Sequence, residues 1–412
     1  MNKKELILPL SLNFLYLFHK LIAIMKLLLS LSCFLTVLNC LPIMAQPTNS
    51  FVMKATTFSN PLKVQFGDPY VLHTGSTYYM YGTGGEAVHG FAAYSSKDLV
   101  NWKKEGQVYF ANNKNGWSDT MAKWEGAYWA PEVYEVMGKF YLFYSAQWKI
   151  NPGKEIENFR IGVAVSDKPT GPFIDLSAKP IFDPGYSTID ANVFFDANGK
   201  AYLYYSRVAY KHPVKSEVAA WAKTKGWYKE VEESWVYGVE LKADFSGIIG
   251  EPKLLLRPPV RLNDKQSEWE SRSVTAHEVG RRWTEGSVTF KKDGVYYMMY
   301  SANHFGGAYY AIGYATASAP LGPYQKAANN PILQKNTDKG GTVSGTGHNS
   351  ITYSPDGKEM FCVYHGRTAK TGEERVVFID RMKVKGGKIT IAGPTTTPQK
   401  MPSGVTGSTV NN

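Results

Sequence analysis

The sequence predicts an all-β chain folded as a five-bladed β-propeller. Three observations carry this expectation. One supersecondary unit recurs five times, at a period of roughly 60 residues over most of the chain. Each copy is a β-hairpin, in which an apolar strand and an aromatic strand flank a Gly or polar turn. A third strand and a Pro/Gly turn to an outer strand follow in several copies, which completes the four-stranded blade of a propeller. A β-sandwich also uses short strands, but it has no such repeat.

The first copy is Gly67-Asp68-Pro69-Tyr70-Val71-Leu72, a turn at Thr74-Gly75-Ser76, and Tyr78-Tyr79-Met80-Tyr81-Gly82. The second is Trp129-Ala130-Pro131-Glu132-Val133-Tyr134, a turn at Gly138-Lys139, and Phe140-Tyr141-Leu142-Phe143-Tyr144-Ser145. The third runs from Ile189-Asp190-Ala191-Asn192 through Asn198-Gly199 to Tyr202-Leu203-Tyr204-Tyr205-Ser206. The fourth runs from Thr284-Glu285-Gly286-Ser287 through Asp293-Gly294 to Tyr296-Tyr297-Met298-Met299-Tyr300-Ser301. The fifth runs from Gly347-His348-Asn349-Ser350 through Asp356-Gly357 to Met360-Phe361-Cys362-Val363-Tyr364. Phe91–Ser96, Ile161–Ser166 and Ile312–Ala317 read as third strands, the last two leading into Gly-Pro-aromatic turns at Gly171-Pro172-Phe173 and Gly322-Pro323-Tyr324. The intervals from Asp68 to Ala130, Asp190, Glu285 and His348 are 62, 60, 95 and 63 residues. The long interval marks an insertion, with Ser216 to Glu233 as its expected body, a short helix or a surface loop.

Composition fits a large packed core. Of 412 residues, 43% are apolar and 14% aromatic, with 27 tyrosines and 10 tryptophans. That excludes a disordered chain. It supplies rings for half-buried strands and for stacking on sugars. Residues 1–45 differ: Met25-Lys26 before an apolar run, closed by Ile43-Met44-Ala45, reads as a secretory leader cleaved after Ala45, with Met25 as an alternative start. A transmembrane anchor is the other reading of this stretch. Cys40 suggests a lipoprotein, but Asn39 occupies the place a lipobox gives to a small residue. The expected protein is exported, periplasmic or extracellular, with no membrane association after leader removal. Removing the leader's four lysines and one glutamate leaves 42 basic and 34 acidic residues, and Cys362 as the remaining cysteine, so no disulfide is expected. No dense basic run or nucleic-acid motif occurs, and nucleic acid is excluded as a partner. Residues 46–63 read as a polar lead-in, 64–392 as the propeller, and the Thr/Ser/Gly/Pro-rich 393–412 as a disordered tail.

A propeller brings equivalent ends of its innermost strands together around one channel. Asp68, Asp190 and Glu285 hold such places in three copies, so three carboxylates are expected in one pocket. Acids so crowded share a proton or bind a cation, and paired carboxylates are the chemistry of glycosidic hydrolysis. Each alone is also ordinary turn chemistry.

In this order and spacing, Gly67-Asp68-Pro69, Trp129-Ala130-Pro131-Glu132, Ile189-Asp190, Thr284-Glu285-Gly286 and Gly347-His348-Asn349-Ser350 resemble glycoside hydrolase family 43, over about residues 64 to 390. The resemblance implies a five-bladed propeller acting by inversion on arabinose- or xylose-containing plant cell-wall polysaccharide. It implies Asp68 as general base, Glu285 as general acid, and Asp190 as the residue that raises and orients Glu285. It places His348 near the channel axis, where a calcium ion or a water cluster sits; no cofactor is otherwise required. Trp129, Arg367, Arg375 and His304 are the expected sugar-binding residues, and Glu125 and Glu132 are read as structural. Family xylosidases often carry a C-terminal β-sandwich for which this chain leaves no room. The expectation is therefore a monomeric α-L-arabinofuranosidase, with β-xylosidase as the alternative and endo-arabinanase or β-galactosidase activities as further ones. The alternative of another class is a carbohydrate-binding propeller without catalysis.

Overall fold

Both faces of the second strand in each repeat are apolar, which tells how the repeats must pack. In Phe361-Cys362-Val363-Tyr364, for example, neither alternate set is polar, so the strand needs cover on both sides. The structure, a computed structural model, provides that cover. It describes residues 56–121, 128–154, 157–209 and 215–405. The expected leader, with Cys33 and Cys40, and Glu125 lie outside the described residues.

A short strand β1 (Thr57–Phe58) precedes the repeats. Blade 1 is β2 (Phe66–Thr74), β3 (Thr77–Gly84), β4 (Gly90–Ser96) and β5 (Trp102–Phe110). Blade 2 is β6 (Tyr128–Val136), β7 (Lys139–Gln147), β8 (Phe159–Ser166) and β9 (Ile174–Asp175). Blade 3 is β10 (Thr188–Phe195), β11 (Ala201–Ala209), β12 (Glu232–Leu241) and β13 (Ile248–Leu256). Blade 4 is β14 (Arg281–Lys292), β15 (Val295–Ala302), β16 (Ala311–Ala317) and β17 (Gln325–Lys326). Blade 5 is β18 (Val343–Tyr353), β19 (Met360–Thr368), β20 (Val376–Lys385) and β21 (Lys388–Ile391). Within each blade the strands pair antiparallel in sequence order, and a parallel bridge of Glu232–Ser234 to Arg281–Trp283 joins blades 3 and 4.

Five apolar clusters fill the five interfaces. Blades 1 and 2 share Tyr81, Phe91 and Tyr109 with Val133, Leu142 and Tyr144. Blades 2 and 3 share Phe143 and Ile161 with Val193, Leu203 and Tyr205. Tyr202 and Tyr204 meet Met298 and Tyr300 between blades 3 and 4. Tyr297 and Met299 meet Cys362 and Tyr364 between blades 4 and 5. Phe361 and Val363 meet Phe66, Val71 and Met80 between blades 5 and 1. The last cluster closes the ring, and the innermost strands β2, β6, β10, β14 and β18 touch in that circular order. The fold is the expected five-bladed propeller.

Two details depart from expectation. The long interval holds two insertions. One carries a helix, α1 (Glu217–Thr224), capped by Ser216, whose Oγ accepts from the Ala219 N–H at 3.1 Å. The other, between β13 and β14, carries α2 (Ser267–Glu270) and α3 (Arg272–Thr275). It is tied down by the fully buried Arg282, which donates to Glu233 (2.6 Å), the Pro259 carbonyl (2.8 Å) and Ser271 (2.9 Å). The stretch from 393, expected to be disordered, is held in place as far as residue 405. Gln399 and Lys400 form β22 against β1. Thr395 and Gln399 donate to Asp380, a buried carboxylate on blade 5 that needs those donors. Its polar composition serves hydrogen bonding to a buried acid, not solvation. Among the described residues no helix is long and apolar enough to cross a membrane.

Candidate active site

Every innermost strand carries a bulge at the same place. The pairing jumps between Gly67 and Tyr70, Trp129 and Glu132, Ile189 and Asn192, Glu285 and Val288, and Gly347 and Ser350. The first bulged residue is left-handed in all five: Asp68 (φ 51°), Ala130 (48°), Asp190 (59°), Gly286 (57°) and His348 (48°). A bulge of this kind re-aims side chains at a strand end. Glu285 is therefore not the counterpart of Asp68, Asp190 and His348, as expected; Gly286 is. Glu285 stands one residue earlier, in the place of Gly67, Trp129, Ile189 and Gly347.

The second strand answers each bulge. Thr83, Ser145, Ser206, Ser301 and His365 pair opposite those pre-bulge residues. Each accepts the N–H of the left-handed residue in the next blade. Ala130 donates to Thr83 (2.9 Å), Asp190 to Ser145 (3.0 Å), Gly286 to Ser206 (3.4 Å) and His348 to Ser301 (2.7 Å). Asp68 donates to His365 Nδ1 (3.1 Å), which returns the ring from blade 5 to blade 1.

This ring floors a cavity of about 250 Å3. Asp68, Asp190 and Glu285 all line it, with Trp129, His304, His348 and Arg375. Of the expected site residues, Arg367 alone lies elsewhere. It lines a neighbouring open cavity of about 660 Å3, and its guanidinium is taken by the carbonyls of Glu373 and Phe305 (both 2.8 Å). It holds the 303–310 connection and is not in the three-acid pocket. Phe305, next to His304, and Ile189, next to Asp190, also line the three-acid pocket, which has further walls that sequence reading did not single out: Trp283, Tyr310, Arg281 and Glu157. Tyr310 is buried and donates to Glu285 Oε1 at 2.9 Å.

Two glycine positions make room for this wiring. A Cβ on Gly67 would fall 2.0 Å from Arg375 Cζ, and one on Gly347 would fall 2.1 Å from the Tyr310 ring. Without side chains there, Arg375 reaches Asp68 Oδ1 (2.8 Å) and Tyr310 reaches Glu285.

The charges separate accordingly. Burial alone would push the Asp68 carboxyl up. Arg375, the His348 imidazole (Nδ1 to Oδ1, 3.2 Å) and the Thr83 hydroxyl (2.6 Å) outweigh it and hold Asp68 well below the usual carboxylate range. Burial raises Glu285 well above that range, and the neighbouring anions of Asp190 and then Asp68 raise it further. Asp190 is raised by burial, with its oxygens held by Ser206 (3.0 Å) and the Gly286 N–H (3.2 Å). The pocket thus presents one carboxyl held low among donors and another pushed up by burial beside two further carboxyls, which is the electrostatic division between a base and an acid.

The profile of glycosyl hydrolases family 43 matches residues 58–389. The chain belongs to glycosyl hydrolase family 43. A β-D-galactofuranosidase of Aspergillus niger is 28% identical over 309 residues, 71% of either chain. An arabinoxylan arabinofuranohydrolase of Bacillus subtilis is 28% identical over 67% of this chain, which spans about half (48%) of that relative. The crystal structure of a thermostable family-43 glycoside hydrolase superposes with a TM-score of 0.70 at 37% identity, covering 84% of this chain and 99% of that one. This family 43 protein is accordingly a glycoside hydrolase.

Trp129 lines the family 43 pocket with its ring stacked on Phe159 at 4.0 Å. Burial, then Arg281 and Arg367, push the His304 imidazole down to about 4, so it is neutral at pH 7. Glu132 lies buried near the pocket, hydrogen-bonded to Tyr134 and Asn192 and pushed up to about 8 by burial. His348 lines the pocket with Nδ1 3.2 Å from Asp68 Oδ1, and among the described residues no group of three or more His, Cys, Asp or Glu side chains is placed to hold a metal ion.

Proposed function

We propose that this chain removes single α-L-arabinofuranosyl units from plant cell-wall polysaccharide by one inverting displacement. Asp68 acts as general base on water, Glu285 as general acid on the leaving oxygen, and Asp190 keeps Glu285 protonated and oriented. The observation that carries the reading is the opposite displacement of two carboxyls lining one pocket: Asp68 down beside Arg375, Glu285 up beside Asp190. Asp68 takes the proton of the attacking water as that oxygen bonds to the anomeric carbon. Glu285 gives its proton to the departing oxygen, and the two carboxyls exchange protons with solvent between turnovers. A non-catalytic sugar-binding propeller needs no such pair. The cavity, at about 250 Å3, lies below the roughly 300–1,000 Å3 of pockets for drug-sized ligands, which favours one sugar unit. Furanose as the ring form is supported by the names of both relatives, an arabinofuranohydrolase and a galactofuranosidase. Export rests on the leader read in the sequence.

The test is product release by leader-free protein from branched arabinan, xylo-oligosaccharides and galactofuranosides in parallel, with the anomer followed by NMR. Free arabinose of inverted configuration is expected. Xylose or galactofuranose would reassign the substrate, retained configuration would remove the mechanism, and binding without turnover would leave the lectin.

A further inference from the structure

The proposed reaction gives the pocket two sides. In an inverting displacement the water and its base attack one face of the anomeric carbon, and the leaving oxygen departs toward the acid on the other. The rest of the substrate must therefore extend from the Glu285 side. Two open cavities adjoin the pocket. The one of about 660 Å3 meets it through Arg375 and Phe305, beside Gly67 and therefore on the base's side. The other, of about 470 Å3, is lined by Trp227, Tyr228, Lys229, Glu230, Glu232 and Arg281, among others, and meets the pocket at Arg281.

Strand β14 links that second cleft to the acid. Arg281, Trp283 and Glu285 are alternate residues of one strand and so share a face, and all three line the pocket. Moving outward from Glu285, the strand passes Trp283 and reaches Arg281 at the cleft. The first insertion forms the opposite bank, and it is built firmly. Val218 and Ala222 of α1 pack on Val231 and on Val274 of the second insertion. The Trp227 ring stacks on His277 at 4.6 Å. Glu232 pairs in register with Arg281, donates its N–H to the Gly280 carbonyl (2.8 Å) and takes the Arg281 guanidinium on its carboxylate (2.8 Å). The lining combines the Trp227 and Tyr228 rings with the exposed charged groups of Lys229 and Glu230. Rings that cover C–H faces beside groups that bond hydroxyls suit a neutral oligosaccharide.

We infer that the cleft between the insertion and Arg281 binds the sugar units of the leaving group, and that Trp227 and Tyr228 set the preference for polymeric over small aglycones. This rests on the acid and base assigned above.

The test compares the parent with Trp227→Ala and Trp227→Phe. The substrates are the aryl glycoside of whichever sugar the parent releases, and oligosaccharides of increasing length carrying the same unit. Trp227→Ala is expected to keep kcat/KM on the aryl glycoside within about twofold, which also reports an intact fold. On oligosaccharides kcat/KM should fall roughly tenfold, mostly through KM, with the deficit growing with length until the cleft is filled, and Trp227→Phe should restore most of it. An equal loss on both substrates, or none on oligosaccharides, would overturn the inference. Should the alanine variant not fold, Lys229→Ala at the exposed rim carries the same comparison with an expected loss of about threefold. If the parent hydrolyses nothing, the acid–base reading fails by itself, and calorimetric binding of arabino- and xylo-oligosaccharides decides the cleft: affinity lost in Trp227→Ala supports it, and unchanged affinity refutes it.

Discussion

Replacing Asp190 by Asn tests the acid's electrostatics in isolation. Asn is about the size of Asp and tolerates the left-handed backbone found at 190. Its amide oxygen can still accept from Ser206 and from the Gly286 N–H, so the variant removes a charge and little else. The Gly286 N–H that binds Asp190 belongs to the residue after Glu285, which sets the two carboxyls on the order of 6 Å apart. At an effective dielectric constant of ~20 one charge at that distance is worth about 3 kcal/mol. Asp190 raises Glu285, so its loss lowers Glu285, and the alkaline limb of kcat/KM must move toward lower pH. The assay is the pH profile of kcat/KM, from about pH 4 to about pH 9, on an oligosaccharide whose leaving group needs protonation. Arg375, which dominates the downward pull on Asp68, is untouched, so the acid limb should hold. At a pH below both alkaline limbs the variant should approach parental activity. An unmoved alkaline limb, or a uniform loss across the range with melting temperature preserved, would refute the argument.

Four further outcomes follow from the same site. Glu285→Gln should lose about 100-fold more rate on oligosaccharides than on aryl glycosides, because good leaving groups depart without a proton; equal losses would remove the acid role. Asp68→Asn should lower kcat by at least about 100-fold with the melting temperature unchanged, as expected for a base; high residual turnover would point to another group. Gly67→Ala should drive Arg375 off Asp68, since the new Cβ would lie 2.0 Å from its Cζ; losing that cation raises Asp68, so the acid limb should move to higher pH in the kcat/KM profile. Glu132 has its folded pKa raised from 4.5 to about 8, chiefly by burial, so between those values the folded state holds the extra proton and stability falls as pH rises. Glu132→Gln should remove a penalty on the order of 4 kcal/mol at most by pH 8, seen as a flatter dependence of urea midpoint on pH.

The parts legible in the sequence are those encoded locally. The hairpins show because turn residues and aromatic strands recur with a fixed period, and the convergence of Asp68, Asp190 and Glu285 follows from that repeat. What eluded it depends on backbone geometry or on contacts between blades. Matching the copies by charge put Glu285 level with Asp68, when the shared feature is a left-handed φ that Gly286 provides. A usable signal was present, because Thr83, Ser145, Ser206, Ser301 and His365 end the second strands at equivalent places and would have registered all five copies. Tyr310, Trp283 and Arg281 carry no motif, and they reach the pocket through the blade 4 connection and the outward end of β14. Arg367 and Arg375 stand close in sequence, yet the turn between β19 and β20 sends one to Asp68 and the other to the Phe305 carbonyl.

The ring of hydrogen bonds links stability to catalysis here. Left-handed φ in a residue other than glycine costs on the order of 1–3 kcal/mol, and Asp68, Ala130, Asp190 and His348 all adopt it. Each such residue gives its N–H to the neighbouring blade, so the strained conformation is held by the interface and not by its own strand. Near the channel, blades 5 and 1 are joined by the Asp68 N–H to His365 Nδ1 (3.1 Å), Ser350 Oγ to the Pro69 carbonyl (2.8 Å) and Arg375 to Asp68 Oδ1 (2.8 Å), while the lead-in to blade 1 bonds backbone to backbone with β20, the Leu62 N–H to the Val377 carbonyl (2.8 Å) and the Val377 N–H to the Val64 carbonyl (3.1 Å). The residue proposed as base therefore stands at the seam of the ring. Burial drives His365 well below the usual histidine range, so its Nδ1 stays an acceptor while Asp68 beside it stays ionised. A protonated His365 would have no lone pair for the Asp68 N–H, and the same proton would loosen the seam and disturb the base. The Asp68–His365 hydrogen bond at this seam and the surroundings of the base thus both depend on one imidazole remaining neutral.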